Sequence, residues 1–185
     1  MRTVGLSFLI FLTTFPFLSG ASGSVTFSGQ DIVTAASVQL ATSEASKGIV
    51  VVFLSAVCPC SASHELRLKE LAAEFSASFK FLAIHSNSDE PAELTKKHFQ
   101  ETAFGFSVIQ DDQAKMASQL GAFKTPHAFI LNPQGEVLFK GGVDDSHIAS
   151  HAKKFYLREA LLAVNQGEKP STKEVRVLGC VIKRP

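Results

Sequence analysis

Short, continuous apolar runs alternate with segments of helical period along most of this chain. Ile49 to Leu54 is an unbroken β-branched and aromatic run, as expected of a central strand buried on both faces. Pro59 suits the first turn of a helix, where its missing N–H costs nothing, and Leu68, Leu71, Ala72 and Phe75 then recur at helical spacing, which predicts a helix ending near Ser78. Phe79 to Ile84 is a second strand, His85 to Glu90 a polar loop, and Pro91 opens a helix through about Phe99. Phe106 to Ile109 reads as a short strand, Asp112 to Leu120 as a helix with Gly121 near its C-cap, and His127 to Leu131 as a strand. A turn at Asn132-Pro133-Gln134-Gly135 leads to Glu136 to Lys140 as the second arm of a hairpin. Last come a helix from about Ser150 to Asn165, a polar linker from Gln166 to Lys173, and a strand-like piece from Val175 to Ile182. The order β-α-β-α-β-α-β-β-α predicts parallel strands joined by helices and closed by a hairpin, a three-layer α/β sandwich.

The earliest apolar stretch is of another kind. Val4 to Leu18, broken only by small or hydroxyl residues and Pro16, follows Arg2 and precedes Ser19-Gly20-Ala21-Ser22. That pattern reads as a removable export signal cut after Ala21, because its apolar length falls short of the roughly 20 residues a spanning helix needs. Residues 1–21 are thus expected to be a signal and residues 22–185 a single domain, exported to the periplasm or extracellular space, with no stable membrane insertion once the signal is gone.

Sixteen Phe with no Trp and one Tyr fit an ordinary apolar interior, and the mature chain is long enough to bury a core without disulfide staples. The 18 basic and 17 acidic residues nearly cancel, and removing the signal takes Arg2 only. No nucleic-acid or anionic membrane partner is called for. There are three cysteines, Cys58, Cys60 and Cys180. An odd number in an oxidising compartment leaves at least one thiol free, metal-bound or paired with another molecule.

Cys58 stands where the Ile49–Leu54 strand gives way to a helix. Unpaired N–H groups and the positive end of the helix dipole favour a thiolate at that position, lowering the pKa from about 8.5 into a range of roughly 3.5–7.5. It is the candidate nucleophile. Lys124-Thr125-Pro126, immediately before a strand-turn-strand hairpin, supplies a second signal. The two together resemble the thioredoxin fold, a thioredoxin-like three-layer α/β/α sandwich with a mixed central sheet. More narrowly, FLSAVCPCSASHELRLKEL, FLAIHSNSDEP, GAFKTPHAFILNPQGEVLFKGGVDD and the tail segments YLREALLAV and VRVLGCVIK resemble exported redoxins of the alkyl hydroperoxide reductase and thiol-specific antioxidant superfamily, over roughly Gly48 to Lys183. The resemblance implies a cis Pro126 against the active cysteine, with Thr125 offering its backbone to a bound substrate. A proline is the residue for such a bend, since an X–Pro bond is held cis at about 0.5–1 kcal/mol, against roughly 2.5–4 for other residues.

The chain departs from that family in two places. Cys58-Pro59-Cys60-Ser61 has one residue between its cysteines where thioredoxins have two, so Ser61 stands where the resolving thiol would be. Three readings follow: Cys58 alone as nucleophile, Cys58 and Cys60 as a tight and strongly oxidising pair, or Cys180 resolving Cys58 from the C-terminal strand. Val51 and Ser55 occupy the places of the proline and threonine of the peroxidatic motif, and no arginine lies between Arg67 and Arg158 to polarise a peroxide, which argues against efficient peroxidase activity.

The leading expectation is an exported thiol–disulfide oxidoreductase and antioxidant redoxin, without a cofactor, acting through Cys58 with Cys60 or Cys180. Its substrate would be a protein or small-molecule disulfide or hydroperoxide, and its partner a thiol reductant. An alternative is a copper chaperone on the same fold, using Cys58, Cys60 and His64 or His85, since soft thiolates suit Cu(I). A third is a binding module that grips its partner without turnover. His64 reads as a solvated helix residue, and His147 and His151 as an exposed face at the start of the last helix. His127 either tunes the thiolate or points to the opposite face of its strand. Glu65, Asp89 and Glu90 read as solvated, although an acid beside Cys58 would serve as proton acceptor.

Overall fold

The computed structural model describes residues 23–185. The expected signal, residues 1–21, lies outside the described residues. The central sheet has five strands in the order β5 (Val108–Gln110), β4 (Phe79–His85), β3 (Gly48–Leu54), β7 (His127–Leu131) and β8 (Val137–Gly141). At its centre is β3 (Gly48–Leu54), whose seven residues are all buried, as its unbroken apolar run requires of a strand covered on both faces. It pairs in parallel with β4 (Phe79–His85) and antiparallel with β7 (His127–Leu131); β5 (Val108–Gln110) extends the parallel edge and β8 (Val137–Gly141) the antiparallel one. This is the thioredoxin-like α/β fold with a mixed sheet.

Strand alternation divides the core in two. Val50, Val52 and Leu54 face α1 (Pro59–Glu74), Phe99 of α2 (Ala92–Thr102) and α4 (Tyr156–Asn165). Ile49, Val51 and Phe53 face α3 (Lys115–Leu120), Phe27 and Ile182. Truncating a fully buried side chain here, such as Phe53 to Ala, costs about 3–5 kcal/mol.

Four details depart from the sequence pattern. The polar, Ser-rich N-terminal segment, for which the sequence pattern predicts no element, forms a hairpin, β1 (Thr26–Gln30) and β2 (Ser37–Ala41). Strand β1 places one large apolar residue, Phe27, among Thr, Ser, Gly and Gln, while β2 alternates Val38 and Leu40 with Ser37 and Gln39; the connection depends on Asp31, whose carboxylate accepts from the Val33 and Thr34 N–H groups. The Asp112 to Leu120 segment is not one helix: Gln113 and Ala114 adopt left-handed backbone, separating a 3-10 turn from α3. The last helix starts at Tyr156 instead of Ser150: Ala149–His151 form a separate 3-10 turn, and the Lys153 and Lys154 N–H groups donate to the Asp145 carboxylate instead of to a preceding helical turn. Finally, the Val175 to Ile182 piece is reduced to a two-residue strand, β9 (Cys180–Val181), paired antiparallel with β6 (Lys124–Thr125).

Candidate active site

Where β3 ends, Ser55, Ala56 and Val57 turn the chain so that Cys58 becomes the N-cap of α1, with Pro59 in its first turn. The Cys58 carbonyl accepts the first helical bond, from the Ala62 N–H at 3.0 Å. The turn is fixed by one hydroxyl: Ser55 Oγ accepts from the Cys58 N–H at 3.0 Å and the Val57 N–H at 3.3 Å, and donates to Glu90 at 2.6 Å. Ser61, in the place of a resolving thiol, is buried and its Oγ accepts from the Ser55 N–H at 3.3 Å. Its role is to hold the turn.

Glu90 is not solvated. Its side chain is 2% exposed, and it accepts from the Ala56 N–H at 2.8 Å, His85 Nε2 at 3.1 Å, the Ser55 hydroxyl and Asn87. Burial opposes its charge, but the donors led by His85 and Ser55 outweigh it and hold the carboxyl down at about 2. Asn87, one of those donors, also accepts the Lys183 N–H at 2.8 Å, so the loop that positions Cys58 also ties down the C-terminal tail.

That tail delivers Cys180. Strand register sets Cys180 opposite Thr125, and the Ile182 N–H donates to the Phe123 carbonyl at 3.0 Å. Gly179 makes the approach feasible: a Cβ there would lie 2.0 Å from the Thr125 carbonyl oxygen. The Thr125–Pro126 peptide is cis. The Thr125 carbonyl oxygen accepts from the Cys58 thiol at 3.3 Å. The three sulfurs of Cys58, Cys60 and Cys180 all lie within 4.8 Å of one another, and all three are free thiols.

Their acidities differ by cause. Burial raises Cys58, but the Cys180 thiol and the Ser61 N–H stabilise its thiolate and bring it down to about 7. The buried Thr125 hydroxyl, which has no other hydrogen-bond partner, also favours the Cys58 thiolate. Cys60 is raised by burial and by the negative charge of Cys58. Cys180 is pushed up to about 12, by burial and by the hydrogen bond it gives Cys58. The cluster therefore carries one thiolate, on Cys58, near neutral pH.

The histidines are placed differently from the sequence reading. His64 is buried, with Nδ1 2.7 Å from the Cys60 carbonyl oxygen and Nε2 3.0 Å from Asp144. Asp144 also binds Arg67, whose other amino group donates to the Ala149 carbonyl at 2.9 Å. Those contacts fold the 144–149 segment against α1, and His147 consequently precedes the last helix, with Nδ1 3.6 Å from Cys60 Sγ. His85 is taken up by Glu90 and Gln110. His127 points to the face away from α1, between the Phe123 and Phe129 rings, and burial lowers it to about 4. Glu65 is bonded to His98 at 2.6 Å and Thr102 at 3.1 Å. Asp144, Asn87 and Gly179 were not singled out from the sequence. Only Gly179 left a signal there, as a glycine directly before Cys180 in an otherwise strand-like run.

A thiol at a helix N-terminus, against a cis proline beside a mixed five-stranded sheet, is the arrangement of a thioredoxin-like domain. Residues 46–137 match the thioredoxin-like family, and the chain carries a thioredoxin-like domain. No curated protein matches the chain. Among solved structures, it is similar to an uncharacterized conserved protein from Geobacillus kaustophilus, at 24% identity over 94% of each chain and a TM-score of 0.77. A hypothetical protein from Sinorhizobium meliloti 1021 is 25% identical over 89% of this chain and 94% of its own, with a TM-score of 0.76. A thiol-disulfide oxidoreductase from Bacteroides fragilis shares the fold at 18% identity, over 64% of this chain and 88% of its own, with a TM-score of 0.53.

Proposed function

We propose that the protein is a thiol–disulfide oxidoreductase whose nucleophile is Cys58 and whose resolving thiol is Cys180. The observation that carries this reading is the convergence of the three sulfurs beside the Thr125 carbonyl, with the acidic one at the helix N-terminus. The Cys58 thiolate attacks one sulfur of a substrate disulfide, forming a Cys58–substrate mixed disulfide and expelling the other substrate sulfur as thiolate. Cys180 gives up its proton and attacks the Cys58 sulfur. The substrate leaves as its second thiol, now reduced by two electrons in all, and a Cys58–Cys180 disulfide remains for an external dithiol to reduce. Cys60 is the poorer resolver: only Pro59 separates it from Cys58, so a bond between them closes a small, strained ring.

A disulfide is the better substrate class than a hydroperoxide. The Ser55 hydroxyl donates to Glu90, and Arg67 is bound to Asp144 and the Ala149 carbonyl, so neither is free to polarise a peroxide at Cys58. Thr125 and Pro126 receive the substrate chain beside the sulfur, and export of the protein is supported by the apolar N-terminal segment. Peptide mapping after treatment with one equivalent of a model disulfide tests the assignment. A Cys58–Cys180 linkage is expected, whereas Cys58–Cys60 as the main product would reassign the resolving thiol.

A further inference from the structure

The convergence of three thiols exceeds what exchange needs, since a nucleophile and one resolving thiol complete that cycle. We infer that the reduced protein binds one Cu(I) ion through the sulfurs of Cys58, Cys60 and Cys180. The three Sγ atoms are already within 4.8 Å of one another. Metal–thiolate bonds of about 2.3 Å place three sulfurs about 4 Å apart around a trigonal ion, so the cluster closes by less than about 1 Å. Soft thiolates select soft ions.

The surroundings decide between ions. The two histidines offered by the sequence as ligands are engaged elsewhere: His64 by the Cys60 carbonyl and Asp144, His85 by Gln110 and Glu90. His147 approaches Cys60 Sγ at 3.6 Å but is not part of the trio that converges within 4.8 Å. The converging donor set is three sulfurs, which satisfies Cu(I), whereas Zn(II) in a closed site takes four ligands and would have to draw His147 in from beside Cys60. Cys60 and Cys180 are partly exposed, so the ion enters from solvent without unfolding the sheet edge. On binding, the metal displaces the protons that remain on the cluster, chiefly those of Cys60 and Cys180, which leave to solvent, and no change of oxidation state occurs. Metal loading and disulfide formation draw on the same sulfurs and exclude one another. Cu(I) binding depends on where the three sulfurs sit, and not on whether Cys58 turns over disulfides.

The test is anaerobic titration of the reduced full chain with Cu(I) in competition with bicinchoninate, with X-ray absorption on the loaded protein. One Cu(I) per chain with three sulfurs in its shell is expected, and Cys180→Ser should weaken binding by at least about tenfold by removing the third thiolate. The oxidised wild-type chain, holding one disulfide, should lose the site, and this arm needs no variant to fold. No uptake, a two-sulfur shell, equal affinity in Cys180→Ser or in the oxidised chain, or displacement of Cu(I) by equimolar Zn(II) would each overturn the proposal. Disulfide exchange by the metal-free protein is measured alongside, so a failed exchange reading and a failed copper site give different results.

Discussion

Cys58 and Cys180 place their sulfurs in one cluster, yet they sit at opposite ends of the acidity range. Cys58 is 2% exposed, and burial alone would make it the weaker acid. Instead it lies at about 7, while the more accessible Cys180 is pushed up to about 12. The difference lies in the backbone each one caps. Cys58 heads α1, where the Ser61 N–H points at the sulfur, and it receives a further hydrogen bond from Cys180. Cys180 lies in a two-residue strand whose partner is Thr125, so its sulfur donates and receives nothing that would stabilise a charge. Directed donors outweigh desolvation, and one thiol of the pair is a nucleophile because the other remains protonated.

Removing the nucleophile breaks this contrast most severely. Cys58→Ser should lower disulfide exchange by at least about a hundredfold, read as the rate of reduction of a chromogenic disulfide. Retained exchange would move the chemistry to another thiol. Iodoacetamide labelling of the reduced protein, resolved by peptide mass spectrometry, measures the contrast directly. A midpoint near 7 is expected for Cys58, with Cys60 shifted up and Cys180 near 12. Equal midpoints for Cys58 and Cys180 would show that the helix N-terminus does not set the difference.

Glu90 supports the Cys58 side alone. Its folded pKa of about 2 lies below its ordinary 4.5, so the stability it contributes is full above about 4.5 and is lost as pH falls from there towards 2. At about 1.4 kcal/mol per pH unit, Glu90→Gln should cost up to about 3 kcal/mol at pH 7, and the variant should meet wild type near pH 2. Urea unfolding at pH 7, 4 and 2.5 reads this; an unchanged gap across that range would sink the electrostatic account. The smallest effect concerns the hydrogen bond between the two thiols. Cys180→Ala should raise the Cys58 labelling midpoint by up to about one unit, and Cys180→Ser, which keeps a donor, should move it less. A Cys58 midpoint unchanged from wild type in Cys180→Ala would remove Cys180 from the account of Cys58 acidity.

Legibility differed along the chain for physical reasons. The β3 strand and the start of α1 were readable because burial on both faces demands an unbroken apolar run, and because Pro59 tolerates only a few helical positions. The β1–β2 hairpin was not, because each strand is short, β1 buries Phe27 alone, and the connection rests on the Asp31 turn. The histidines were misread for a related reason. Whether His64 is solvated depends on Asp144, eighty positions further along the chain and brought alongside by Arg67 and the Ala149 carbonyl.

Taken by itself, the sequence determined the α/β alternation, the thioredoxin-like character, and the place of Cys58 at a helix start beside a Thr-Pro pair. These follow from local patterns, in which strand burial, helix period and the backbone limits of proline act over a few residues. Only the tertiary structure decided that Cys180 joins Cys58 and Cys60, that Glu90 is buried beneath the nucleophile's turn, and that His147 lies against Cys60. Each of those contacts spans a long stretch of chain and depends on strand register, on the missing side chain at Gly179, or on a buried carboxylate gathering its donors. None of these leaves a periodic mark in the residues that make it.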